Sequence, residues 1–168
     1  MSRSRTNRIA AALLILAVSA PCASLENSSL LYKKAADMAY SGDVEGAIPL
    51  FKKVTELSPS FVLGHYGLGK AYLYVDGRLD DAVIELKKAV ECDRSFSKAH
   101  FYLGMAYMFR KDYASAIDSF HQAYLVDRTC IEALYNMGAI FDFMGHPFKS
   151  KRYFGEYRAA KQGDNEPF

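Results

Sequence analysis

His65, His100, His121 and His146 are the chain's four histidines, and Cys22, Cys92 and Cys130 its three cysteines. A metal site, a proton relay or a thiol nucleophile would be built from these groups. Their spacing builds none of them. The sequence contains no CxxC, no HExxH, no nucleophile elbow and no glycine-rich phosphate loop. Asp80 and Asp81 are adjacent carboxylates of the type used in acid–base work. They fall at a predicted helix start, where capping and the helix dipole give them an ordinary role. Cys92 and Cys130 lie near the ends of predicted helices at non-equivalent places, which favours two free thiols, although export would permit a disulfide. Catalysis is not expected, and neither is a cofactor or a metal.

The elements that carry these residues recur. Leu68-Gly69-Lys70-Ala71-Tyr72 aligns with Leu103-Gly104-Met105-Ala106-Tyr107 and with Met137-Gly138-Ala139-Ile140-Phe141. A second set follows at the same spacing of 34 or 35: Ala47/Phe51, Ala82/Leu86, Ala116/Phe120 and Ser150/Phe154. A fixed period of this length means a stacked array of units. The units run 28–61, 62–96, 97–130 and 131–163, the second being one residue longer. Each shows two apolar ladders at helical spacing, separated by a short polar turn. Small residues (Ala35, Gly69, Gly104, Gly138) let two helices cross closely, and large residues from the second helix fill the space beside them. His65 and His100 hold the same place in successive units, which points to packing.

Charge excludes one class of partner. The chain carries 21 basic and 19 acidic residues, a net of +2. Without Arg3, Arg5 and Arg8 the balance becomes −1. No basic stripe remains to displace counterions from DNA or RNA, so nucleic acid is not expected as a partner. The arginines lead into the apolar run Ile9 to Val18, followed by Ser19, Ala20, Pro21, Cys22, Ala23 and Ser24. This is the order of a secretory signal, and the run is short for a bilayer span. Residues 1–24 are read as a signal peptide or membrane anchor. Three outcomes stay open: soluble export, an uncleaved anchor, or lipidation at Cys22, for which Ser19-Ala20-Pro21 is a weak lipobox. Residues 25–163 form the array, and 164–168 a disordered tail.

The units resemble tetratricopeptide repeats, whose pattern is W-x2-L-G-x2-Y…A-x3-F…P over 34 residues. Unit three carries it as His100, Leu103, Gly104, Tyr107, Ala116 and Phe120. Unit two has His65, Leu68, Gly69, Tyr72, Ala82 and Leu86, and unit four has Leu134, Met137, Gly138, Phe141, Ser150 and Phe154. Unit one keeps Ala47, Phe51 and Pro59. The tryptophan is missing throughout, and the closing proline occurs in unit one alone. The resemblance implies an all-α fold, a right-handed α-solenoid of helix–turn–helix hairpins whose first helices line the concave face.

It also implies which places face that groove. The fifth places are Tyr32, Tyr66, Phe101 and Tyr135, and the thirteenth are Tyr40, Tyr74, Phe109 and Phe143. All eight are aromatic, and none belongs to the family pattern. Two readings are open: the rings pack against neighbouring helices, or they floor a groove together with Leu73, Met105 and Met108. Aromatic and Met side chains suit a protein-binding surface, and such a groove takes an apolar helix or an extended, Pro-containing peptide. Lys70 and Lys98 come from adjacent first helices and face the same groove. Ala36 and Gly67 stand where some relatives clamp a C-terminal carboxylate, so that clamp is not expected. The expected function is a non-catalytic scaffold or adaptor of the cell envelope, periplasmic or membrane-anchored, with a protein partner. The alternative is a self-associating subunit or assembly factor of an envelope or secretion complex.

Overall fold

The structure, a computed structural model, describes residues 25–163. The signal or anchor reading of 1–24, the lipidation reading of Cys22 and the tail at 164–168 lie outside the described residues. Every regular element within them is a helix: α1 (25–40), α2 (Val44–Leu57), α3 (Val62–Tyr72), α4 (Leu79–Cys92), α5 (Ser97–Phe109), α6 (Tyr113–Val126), α7 (Glu132–Phe143) and α8 (Pro147–Gly163). From α2 onward each helix packs chiefly on the helix before and after it, the quasi-linear contact map of a solenoid. No described helix is long and apolar enough to cross a membrane.

The small-and-large pairing sets the helix crossings. A Cβ on Gly69 would stand 2.7 Å from Leu86 Cγ and 3.0 Å from the Leu86 backbone nitrogen. On Gly104 it would stand 2.8 Å from the Phe120 ring, and on Gly138 2.9 Å from the Phe154 ring. Gly67 does the same between hairpins, because its missing Cβ makes room for the Phe51 ring. Ala47, Ala82 and Ala116 are fully buried.

Three of the four intrahairpin turns close in one way. Asp43, Asp112 and His146 donate their backbone N–H groups to the carbonyls of Met38, Tyr107 and Phe141, at 3.0, 2.9 and 2.8 Å. The residue before each donor has positive φ, the αL closure that ends many helices. Gly42 and Gly145 fill that place, but in unit three it is Lys111 at φ 63°. Asp43 and Asp112 then cap the next helix, accepting from the N–H groups of Gly46 and Ser115, and Pro147 opens α8 where its missing N–H costs nothing. A side chain with a Cβ costs about 1–2 kcal/mol in αL, partly offset by glycine's greater freedom when unfolded. Lys111→Gly should therefore raise stability by about 0.5–1 kcal/mol. The check is the thermal midpoint, expected to rise by roughly 1–4 °C.

Unit two departs from this scheme. Its first helix ends at Tyr72, and residues 73–78 form a longer turn that absorbs the extra residue. Tyr74, expected on the first helix, therefore lies in that turn. Nor do Asp80 and Asp81 cap α4: the N-cap is Arg78, without a side-chain hydrogen bond. Asp81 accepts from the Arg78 guanidinium, and Asp80 pairs at 3.2 Å with Arg110 of the next hairpin.

The links between hairpins are tied by polar groups. Asp93 accepts from Ser95, and Asp127 from Thr129, each through a backbone N–H and a hydroxyl. These bonds hold both carboxyls below their usual range. Ser28 and Ser58 share a buried 2.8 Å hydrogen bond between α1 and the end of α2. His65 and His100 are both buried. Their Nε2 atoms donate to the carbonyls of Pro59 and Arg94, at 2.9 and 3.0 Å. The repeated histidine is thus a tether as well as a packing residue. His65 Nδ1 additionally meets Glu85 Oε2 at 2.7 Å, and Lys88 holds the other oxygen of Glu85 at 2.8 Å.

Candidate protein-binding groove

The two aromatic places have different duties. The fifth-place rings pack against neighbouring rings, although Tyr135 of the last hairpin stays 50% exposed. Tyr32 lies 5.7 Å from Phe51, Phe101 5.5 Å from Phe120 and Tyr135 5.4 Å from Phe154, each pair within one hairpin. Tyr66 instead meets Phe96 and Tyr102, at 5.1 and 5.6 Å. It is 9% exposed, and burial together with the neighbouring tyrosines pushes its hydroxyl pKa upward. Burial does the same to Tyr32. For Tyr66 the packing reading therefore dominates.

The thirteenth-place rings are open to solvent. Tyr40 is 96% exposed, Tyr74 65%, Phe109 45% and Phe143 74%. Phe143 has one ring neighbour, Tyr113, at 5.2 Å. This place lies at the end of a first helix, or just beyond it in unit two, so its side chains stand clear of the fifth-place packing.

A cleft of about 640 Å³ collects Tyr32, Tyr40, Tyr66, Lys70, Tyr74 and Lys98, with Asp37, Phe51 and Gly67 also on its walls. A second hollow of about 410 Å³ shares Tyr66, Lys70 and Lys98, and continues to Phe101, Tyr102, Asp127 and Glu132. Seven of the thirteen groove residues named from the sequence thus line one run across units one to three. Met105 is half-buried against the C-terminal core, and Phe109 and Phe143 are outside both hollows. Tyr135 lines a separate recess of about 640 Å³ with Phe154, Tyr157, Lys151 and Arg158. The single groove expected over four units is therefore a continuous cleft at one end and a recess at the other.

Electrostatically the cleft is mixed. Among the described residues neither Lys70 nor Lys98 has an acidic partner within 4 Å. The Lys70 ammonium instead sits 4.9 Å from the Tyr102 ring centre, a cation–π contact. Tyr102 escaped the sequence reading because aromaticity at its place does not recur: the equivalents are Lys33, Gly67 and Asn136. No group of three or more His, Cys, Asp or Glu suited to a metal occurs among the described residues. Cys92 and Cys130 are free thiols, and burial raises the pKa of Cys130.

Family patterns described as tetratricopeptide repeat match residues 97–130 and 32–95. A solved structure titled "Crystal structure of MamA" is 30% identical, with a TM-score of 0.70, and the match covers 77% of this chain and 75% of that one. The chain belongs to the tetratricopeptide repeat family. A MamA structure from Desulfovibrio magneticus RS-1 shares the fold at 20% identity and TM-score 0.76, covering 83% and 78% of the two chains. Pseudomonas aeruginosa PilF does so at 19% identity and TM-score 0.74, covering 83% and 63%. No curated protein sequence matches the chain. Tetratricopeptide repeat proteins are in general non-catalytic scaffolds that bind other proteins. Within that frame the histidine tethers, glycine crossings and fifth-place rings of this chain build the solenoid. Tyr40 and Tyr74, 96% and 65% exposed, are not part of that framework.

Proposed function

We propose that this chain is a protein-interaction scaffold of the cell envelope, and that the cleft across units one to three receives a peptide or helical segment of its partner. The observation that carries this reading is the convergence of exposed Tyr40 and Tyr74 with Lys70 and Lys98, neither of them in an ion pair among the described residues, on one continuous surface. Tyrosine provides large contact area at low entropic cost, which is why it concentrates at binding hot spots. The envelope assignment rests on the basic, apolar and small-residue order of the first 24 residues. Self-association is the second reading, favoured by the recess beside half-exposed Tyr135 on the last hairpin.

Affinity capture from an envelope extract of the native host tests the groove. Tyr40→Ser/Tyr74→Ser should lose the captured protein, because two hot-spot side chains each contribute about 2 kcal/mol or more. Ile84→Ser, which alters a half-exposed α4 side chain outside the cleft, should capture as wild type does. Equal capture by all three proteins would overturn the groove assignment.

A further inference from the structure

The last hairpin carries a surface that neither the solenoid nor the cleft uses. Residues 142–149, spanning the α7–α8 turn, are all exposed. Three are large and apolar: Phe143 is 74% exposed, Met144 43% and Phe148 90%. They stand on a turn tip, and none of them lines the neighbouring recess. The helix that follows carries Lys149, Lys151, Arg152, Arg158 and Lys161 against one acid, Glu156. Between residues 25 and 146 the balance is reversed, with 16 acidic and 13 basic residues. Lys151 and Arg152 follow Phe148 by three and four residues, so they share its helix face, and both are exposed.

We infer that this corner docks on an anionic membrane surface, with Phe148, Met144 and Phe143 entering the headgroup layer and the α8 cations meeting lipid phosphates. Protruding rings beside a cationic helix face are the two components of interfacial binding: apolar insertion and attraction to anionic lipid. Phe143, Met144 and Phe148 line none of the three hollows described above. Opposing charges are few nearby. Glu156 is held by Arg152 at 2.8 Å, and Asp142 accepts a long hydrogen bond from Ser150. The inference is independent of the cleft and of any anchoring by the first 24 residues.

The chain contains no tryptophan, so Phe148→Trp in the full chain places a sole reporter on the corner. With vesicles of two parts phosphatidylcholine to one part phosphatidylglycerol, its emission should shift to the blue and be quenched by brominated acyl chains. With phosphatidylcholine alone neither should happen, and 0.5 M salt should reverse the shift. Adding Lys149→Glu and Arg152→Glu should weaken binding at least twentyfold, since each cation near such a surface contributes about fivefold. Tyr40→Trp, on the first hairpin, separates this corner from attachment through the N-terminal segment and should not shift. An unshifted Phe148→Trp on anionic vesicles, an equal response on zwitterionic ones, or an equal shift at Tyr40→Trp would overturn the inference. So would a response to soluble polyglutamate alone, which would assign the corner to an acidic protein.

Discussion

Phe120→Ala should cost about 3–5 kcal/mol of folding stability. The ring is completely buried, fills the space left by Gly104 and packs edge-on against Phe101. Its removal opens a cavity that helix backbones cannot readily close, because the neighbouring α5 residue has no side chain to move inward. A domain of this size has about 5–15 kcal/mol in total, so one side chain carries a large share. The position adds a second effect. Each helix contacts chiefly its sequence neighbours, so a weak third hairpin uncouples the first two from the fourth. Urea unfolding followed by far-ultraviolet circular dichroism should show a lower midpoint and a broader transition. Leu125→Ala, at a 43% exposed site on the same helix, should stay within about 0.5 kcal/mol of wild type. A cost below about 1.5 kcal/mol at Phe120 would contradict the small-and-large pairing as the determinant of the helix crossings.

The second large effect depends on pH. Both ring nitrogens of His65 face oxygen acceptors, the Pro59 carbonyl and the Glu85 carboxylate. Only the imidazolium has two N–H groups to donate. The Glu85 hydrogen bond is the chief reason that the His65 pKa is raised, against the opposing effect of burial. For Glu85, burial pushes its pKa upward, but hydrogen bonds from His65 and Lys88 outweigh it and hold it below the usual value. The folded chain therefore keeps the His65 proton where the unfolded chain, near pH 6.5, releases it. That contribution is complete below about pH 6.5 and disappears as pH rises through the raised folded value. The Glu85 contribution is complete above about pH 4.5 and disappears as pH falls through the lowered one. Stability from this pair thus peaks between roughly pH 4.5 and 6.5. Thermal midpoints should fall from pH 6 toward pH 9. His65→Gln should remove that slope and cost about 2–3 kcal/mol at pH 5.5, the worth of hydrogen bonds to charged groups. His100→Gln should leave the slope in place, because His100 has the carbonyl tether and no carboxylate partner among the described residues. An unchanged slope in His65→Gln would show that the imidazolium is not the group responsible.

The sequence made the solenoid legible because its determinants repeat. Gly69, Gly104 and Gly138 recur with Leu86, Phe120 and Phe154, and the close helix crossings they imply are present. The division of labour among the aromatics was not legible. Tyr66 and Tyr74 are both tyrosines at regular places, yet one is packed and the other lies in a turn. The difference lies in the place along the helix: the fifth place packs on neighbouring rings, while the thirteenth stands at or just beyond the helix end, and periodicity does not distinguish the two. Tyr102 and the His65–Glu85–Lys88 cluster occur once each, and non-recurring tertiary contacts leave no trace in a repeat alignment. Of the residues named for the groove, Leu73, Met105, Met108, Phe109, Tyr135 and Phe143 are not on the walls of the two hollows across units one to three.

The assignment of the cleft, with Tyr40 and Tyr74 free for a partner and Tyr66 committed to the solenoid, is tested most directly by calorimetric titration. The captured partner's segment would be titrated into the wild type and into Tyr40→Ser/Tyr74→Ser, with the thermal midpoint of each protein measured alongside. The account predicts that the double variant keeps its midpoint within about 2 °C, as expected for exposed positions, while Kd rises roughly several hundredfold, the result of losing about 4 kcal/mol. An unchanged Kd, or a weaker Kd that only accompanies a collapsed midpoint, would contradict it.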